Sequence, residues 1–228
     1  MAKLRFQYGT MNSKKTADLL AVAHSYTETN REVILITSKI DTRDDNYISS
    51  RIGIKEQPDL LIDSRDDIIH EMLQLDKFKN STISAVLVDE VQFLTTKQID
   101  QLSEIVDILG IPVMAYGLKT DFRGKLFPAS QRLLELSDEL NEVKSICWYC
   151  NRKATMNLRL DETGKAIITG ATFIVGGNES YVPACRRHYK EQTYLAIEDS
   201  PEGKKFKRPI SEITDELLKS SDAFNNNL

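Results

Sequence analysis

The chain has 228 residues, a net charge of −4 at pH 7 and 41% hydrophobic residues. At roughly 150 residues per domain this is one or two domains. No apolar run reaches the ~18 residues of a membrane span, Met1 to Phe6 lead into no secretory signal, and a sequence pI near 5.5 argues against duplex DNA binding as the main role. The three cysteines cannot all pair within one chain and are expected to stay reduced, in a cytoplasmic protein.

The predicted elements alternate. Leu4 to Tyr8 reads as a short strand meeting a turn at Gly9. Lys15 to Tyr26 has helical spacing, with Leu19, Leu20, Val22, Ala23 and Tyr26 on one face. Glu32 to Thr37 is a β-branched apolar run, a buried strand, and Leu60 to Ile62 a weaker one. Asp66 to Leu75 is a helix with acidic residues in its first turn. Ile83 to Val88 is a second buried strand and ends in Asp89-Glu90. Lys97 to Leu109 is an amphipathic helix stopping at Gly110, followed by a strand over Ile111 to Tyr116. Ser130 to Leu140 reads as a helix and Val143 to Ile146 as a strand. This alternation predicts an α/β fold, a mostly parallel sheet with helices on both faces.

The character changes near residue 145. Short strand-like pieces (Thr155 to Leu160, Thr172 to Val175) lie between Cys147 and His188 with no long helix. The predicted division is 1–145 for the α/β unit, 146–195 for a small second unit, and 196–228 for a flexible tail in which Ser211 to Leu218 can form one short helix.

Three motifs carry chemistry. The first is Gly9-Thr10-Met11-Asn12-Ser13-Lys14-Lys15-Thr16, set between a strand and a helix N-terminus. Backbone N–H groups and the helix dipole can wrap a phosphate there. Lys15 and Thr16 supply the lysine and the hydroxyl of the pattern G-x-x-x-x-G-K-[ST], while Lys14 replaces its second glycine. A positive φ at Lys14 costs about 1–2 kcal/mol; a negative φ lets the side chain point outward. The second motif is the strand end Asp89-Glu90. One carboxylate can hold Mg²⁺ and the other can accept a proton from a nucleophilic hydroxyl. Loop and strand end together read as a site for ATP with Mg²⁺. The third is Cys147-x₂-Cys150-x₃₄-Cys185-x₂-His188, four ligands suited to tetrahedral zinc and leaving no open position, hence structural. His24 and His70 lie in predicted helices and are assigned no chemistry.

The combination resembles the zinc-containing (type II) thymidine kinases of cells and bacteria, a P-loop NTPase-like fold with a small zinc-binding lasso domain. The matching segments are YGTMNSKKT at 8–16, DTRDD at 41–45, SRIG at 50–53, LVDEVQFL at 87–94, YGLKTDFRGKLF at 116–127, CWYC at 147–150 and VGGNESYVPACRRH at 175–188. Lys14 departs from the family pattern. The resemblance implies transfer of the ATP γ-phosphoryl to the 5′-hydroxyl of thymidine or deoxyuridine, in deoxynucleotide salvage for DNA synthesis. It implies Glu90 as catalytic base. Asp89 stands near Mg²⁺, Asp41 and Arg43 near the metal and phosphates, and Gln92 belongs to the same ATP and Mg²⁺ set. Met11, Phe93, Leu118 and Phe122 form the wall around the pyrimidine. A lasso closes over the base, with Gly176 to Tyr181 as its return limb and Val175 and Tyr181 against the thymine. It further implies a homotetramer and inhibition by thymidine triphosphate, with neither nucleic acid nor membrane as partner. Two other readings stay open at this level. One is a zinc-ribbon nucleic-acid binder, using the basic KKFKR at 204–208. The other is a nucleoside-sensing protein whose turnover is impaired by Lys14.

Overall fold

The computed structural model describes residues 1–40, 47–172 and 181–197. Its centre is a six-stranded sheet in the order β5-β2-β6-β7-β1-β8. The strands are β1 (Leu4–Gly9), β2 (Glu32–Ser38), β5 (Leu60–Ile62), β6 (Ile83–Val88), β7 (Val113–Leu118) and β8 (Glu139–Val143). All five pairings within this sheet are parallel. A short antiparallel pair, β3 (Ile48–Ser49) with β4 (Lys55–Glu56), precedes β5.

The inner strands carry apolar residues on both faces, because helices cover both. On one face Ile34, Ile36, Val86 and Val88 pack with α2 (Ile68–Gln74), α4 (Thr96–Leu109) and α5 (Pro128–Leu136). On the other, Val33, Leu35, Ala85 and Leu87 pack with Leu19, Leu20 and Ala23 of α1 (Lys15–Glu28). Alternate residues of one strand therefore feed two cores, the period-2 rule applied to a doubly covered sheet. Helix α4 starts where Thr95 and Gln98 form a reciprocal capping box and stops at Gly110 in the left-handed region.

The sequence expectation fails in a few places. The helix expected over Ser130–Leu140 ends at Leu136, and Glu139–Val143 is the edge strand β8. Asp138 causes the switch. Its side chain accepts the Leu4 N–H at 2.8 Å and its own N–H donates to the Leu4 carbonyl at 2.9 Å, which lays the chain alongside β1. The strand expected over Val143–Ile146 is split accordingly, with β9 at Ser145–Ile146. The helix expected from Asp66 begins at Ile68, because Asp67 caps it by accepting the His70 N–H. A short α3 (Asp76–Asn80) follows.

Beyond β9 the chain forms β10 (Lys153–Ala154) paired with β9, and β11 (Met156–Arg159) paired antiparallel with β12 (Tyr181–Ala184). Leu158, Ala166, Val182 and Ala184 make a small third core. A helix that the sequence reading did not anticipate, α6 (Arg186–Leu195), closes this region. None of its residues is buried, so it carried no apolar stripe to be read. The helix expected at Ser211–Leu218 and residues 173–175 of the expected Thr172–Val175 strand lie outside the described residues.

β6, β7 and β1 are neighbours in the sheet. The loops leaving their carboxyl ends therefore converge in one crevice, the usual ligand position in an open α/β sheet.

Candidate active site

The loop after β1 is built around Gly9. A Cβ there would stand 2.7 Å from the Val143 carbonyl oxygen, and closer still to Ser13 Oγ. Only glycine lets the loop fold back against β8 at this point. Thr10 Oγ1 pairs with Ser145 Oγ at 2.5 Å. Asn12 and Lys14 both have left-handed backbones, with φ of 63° and 66°. The lysine thus occupies the conformation for which glycine is favoured, and it does so with an exposed side chain. Lys15 is buried, and its Nζ donates to Thr10 O at 2.8 Å and Ser13 Oγ at 3.3 Å. α1 begins at Lys15 with no side-chain cap. The N-terminus of such a helix is a ready site for an anion.

The end of β6 brings Asp89 beneath this loop. Its N–H donates to Ile36 O at 2.8 Å, and its carboxylate is 3% exposed and receives the Thr16 hydroxyl. Burial raises the Asp89 pKa, and the adjacent Glu90 charge raises it further, against the Thr16 hydrogen bond and the Lys15 charge. Its Oδ1 has no hydrogen-bond partner among the described residues. A buried carboxylate oxygen beside a hydroxyl and a phosphate loop fits a hard divalent cation such as Mg²⁺.

Glu90 is held in the left-handed region at φ 48°, ψ 38°. A non-glycine residue there stores strain of about 1–3 kcal/mol, as sites of chemistry often do. The Gln92 side-chain amide donates to the Glu90 carboxylate, and its carbonyl accepts the Leu118 N–H at 2.9 Å. Gln92, 3% exposed, thus ties the β6 end to the β7 end.

These parts border one cleft of about 1000 Å³, counted to its open mouth. The loop residues Met11 to Thr16, Glu90, Gln92, Phe93, Leu118, Phe122 and Tyr181 line it. The carboxylate, the phosphate loop and the apolar wall expected from sequence therefore meet in space. Phe93 meets Phe127 edge-on at 6.4 Å, and Phe122 meets Tyr181 edge-on at 6.5 Å. The Arg159 guanidinium lies 5.5 Å and 5.8 Å from the last two rings. These rings give the cleft an aromatic, largely buried wall.

Sequence reading missed Phe127, Asn157 and Arg51, all at the cleft. Arg51 stood in a matching segment without a role. Asn157 is 3% exposed; it accepts the Met11 N–H at 2.8 Å and donates to Thr120 O at 2.9 Å. It pins the phosphate loop to the loop bearing Phe122, and no motif marks it. Asp41, Arg43, Val175 and the return limb at 176–180 lie outside the described residues.

Away from the cleft, the ligand atoms of Cys147, Cys150, Cys185 and His188 all lie within 4.8 Å of one another. Cys147 Sγ and Cys185 Sγ lie 3.5 Å and 3.4 Å from His188 Nδ1, and Cys150 Sγ lies 4.0 Å from Cys185 Sγ. Burial opposes ionisation of Cys147, but backbone N–H groups at Cys185, Tyr149 and Cys150, with the His188 ring, outweigh it and lower its pKa to about 6. A thiol ready to ionise, in a Cys₃His set, fits structural zinc.

A family model described as thymidine kinase matches residues 2–189. The chain is 49% identical over 191 residues to a thymidine kinase of Legionella pneumophila (strain Lens), covering 83% of this chain and 90% of that one. It is 47% identical over 190 residues to a thymidine kinase of Streptococcus gordonii (83% and 96%). It is 49% identical over 188 residues to one of Listeria monocytogenes serotype 4b (82% and 96%).

Proposed function

This chain belongs to the thymidine kinase family, and on that premise we propose how its cleft carries out the family's reaction. The activity is phosphorylation of thymidine with ATP, a salvage route to DNA precursors. The reading as a sensor without turnover has no support beside relatives named thymidine kinase.

The roles follow from the cleft. The triphosphate lies along Gly9 to Thr16, against the first-turn N–H groups of α1 and the Lys15 ammonium. Lys14, exposed at the rim, adds a second positive charge. Mg²⁺, when bound with ATP, neutralises charge on the β- and γ-phosphates; Asp89 and Thr16 are the residues to hold it, with Asp41 and Arg43 nearby in sequence-derived expectation. The pyrimidine sits among Met11, Phe93, Leu118, Phe122 and Tyr181, with Val175 closing over it. Glu90 takes the proton of the 5′-hydroxyl as that oxygen bonds to the γ-phosphorus and the bridge to the β-phosphate breaks. Such a transfer needs chiefly position and charge. Gln92 acts here through Glu90 rather than on ATP itself, since its amide is engaged by Glu90 and Leu118.

The observation that carries these assignments is the meeting of Glu90, the phosphate loop and the Phe122–Tyr181 wall in one cleft. Residues 146–195 serve as the closing unit, with zinc tying its two ends. A homotetramer, inhibition by thymidine triphosphate and a cytoplasmic location complete the proposal. No helix among the described residues is long and apolar enough to cross a membrane. A coupled kinase assay offering each nucleoside in turn, with and without thymidine triphosphate, tests the reading. Turnover of thymidine and deoxyuridine is expected; ATP consumption with purine nucleosides alone would overturn it.

A further inference from the structure

Tyr189 directly follows His188 of the Cys₃His set and lies one helical turn after Cys185, at the N-cap position of α6; its N–H donates to the Cys185 carbonyl at 2.9 Å. Its hydroxyl leaves this helix and donates to the Phe122 carbonyl at 2.8 Å. Phe122 belongs to a turn held largely by its own bonds, with Arg123 also donating outward to the Thr172 hydroxyl at 2.8 Å. The Asp121 carboxylate accepts the N–H groups of Arg123 and Lys125 at 2.9 Å, and the Gly124 N–H donates to Asp121 O at 3.1 Å. Gly124, at φ 75°, lets this turn approach the helix; a Cβ there would stand 3.6 Å from the Tyr189 hydroxyl and 3.0 Å from Met156 Cε. The Phe122 ring, 1% exposed, projects from the same residue to the cleft. The Tyr189 ring is itself packed on the small core of Leu158, Ala166, Val182 and Ala184.

The path is therefore short. A metal held by Cys185 and His188 fixes the first turn of α6. That turn fixes the Tyr189 hydroxyl, and the hydroxyl fixes the backbone bearing the Phe122 ring. Two residues earlier, Asn157 donates to the Thr120 carbonyl and accepts the Met11 N–H, so the phosphate loop is tied to the same segment at Thr120, one step further from Tyr189 than Phe122 is. We propose that Tyr189 is a positioning residue that couples the metal knuckle to Phe122, so that nucleoside affinity depends on the order of the knuckle more than ATP affinity does. This rests on reading the cleft as the thymidine site.

The test uses the full-length chain, with Tyr189→Phe, Phe122→Leu and the double variant. Zinc content, thymidine Kd by calorimetry without ATP, and both KM values are measured. Tyr189→Phe is expected to keep about one zinc per chain. Its thymidine Kd and KM rise about fivefold, the loss of one ordinary hydrogen bond, while kcat and the ATP KM stay within about twofold. In the Phe122→Leu background the same change adds less than about twofold, because the two residues act as one unit. Gly124→Ala, pushing on the contact from the turn side, gives the same split between thymidine and ATP. An unchanged thymidine Kd, an equal rise in ATP KM, or effects that multiply in the double variant overturn the proposal. So does a Tyr189→Phe chain that loses metal while Gly124→Ala binds thymidine normally. A wild type that neither binds nor phosphorylates thymidine overturns the kinase reading itself, and this proposal with it.

Discussion

Gln92 holds Glu90: its side-chain N–H donates to the Glu90 carboxylate while its carbonyl accepts the backbone N–H of Leu118. A side chain that combines a donor and an acceptor can do this where a carboxylate or an alkyl group cannot. With the backbone of Glu90 already left-handed, the carboxylate is aimed by two independent constraints. Glu90→Gln is expected to lower kcat by about 10²-fold or more, the usual scale of general-base help, with thymidine Kd little changed. Gln92→Ala lowers kcat by about tenfold through misorientation. The double variant is no worse than Glu90→Gln, since both act on one proton transfer. Single-turnover kinetics reads this directly; near-full kcat in Glu90→Gln removes it as the base.

Gly117 leaves the space that Gln92 fills. A Cβ there would stand 2.5 Å from Gln92 Oε1 and 2.7 Å from Val91 Cγ1. Gly117→Ala is expected to destabilise by about 1–3 kcal/mol through overpacking and to lower kcat together with Tm. A Tm within a degree of wild type, measured calorimetrically, counts against this account of the glycine.

Asp89 makes stability depend on pH in an identifiable direction. Its folded pKa is raised to about 7 by burial first and by Glu90 second, against about 4 in an unfolded chain. The folded state binds the proton more tightly, so stability falls as pH rises from about 4 to about 7. Metal-free Asp89→Asn should therefore melt above wild type at pH 8, with the gap narrowing at pH 5. Adding ATP with Mg²⁺ should raise the wild-type Tm more than that of the variant. Parallel Tm curves across pH would refute it.

Metal removal has a local consequence. Purified protein should carry about one zinc per chain at Cys147, Cys150, Cys185 and His188. Cys185→Ser should lose it and expose the region from residue 146 onward to protease. Elemental analysis of a chelator-free preparation decides the point; absence of zinc there sinks the assignment.

Lys14 sits at φ 66°, a conformation that costs a residue with a Cβ about 1–2 kcal/mol. Its charge also borders the cleft beside Lys15, where it can draw phosphate from the position that Lys15 needs. Lys14→Gly is expected to raise kcat/KM for ATP about tenfold, or about 1.4 kcal/mol in transition-state binding. The stability gain is smaller, because glycine adds entropy to the unfolded chain. Steady-state kinetics at saturating thymidine compares the two; an equal or lower value for the glycine variant shows that the lysine serves binding.

The parts of this protein encoded by neighbouring residues were legible in the sequence. A phosphate loop needs a strand end, a run of N–H groups and a lysine within one short segment, and Gly9 to Thr16 has them. The knuckles at 147–150 and 185–188 announce a metal because ligand spacing is local chemistry. Strands β2, β6 and β7 declare themselves by apolar runs, β1 by alternation up to Gly9, and β5 more weakly by Leu60 to Ile62. β8 does not, because ELNEV is a partly exposed edge strand whose pairing with β1 is set by Asp138, 134 positions from Leu4. The side chains that orient the site are silent for the same reason. Asn157 reaches Met11 across 146 positions, Tyr189 reaches Phe122 across 67, and Gln92 reaches Leu118 across 26. A single polar residue leaves no periodicity, so only the folded chain shows what it holds. The backbone at Lys14 is the sharpest case. Its sequence allowed either sign of φ, and only the folded passage from β1 into α1 shows it positive, at 66°.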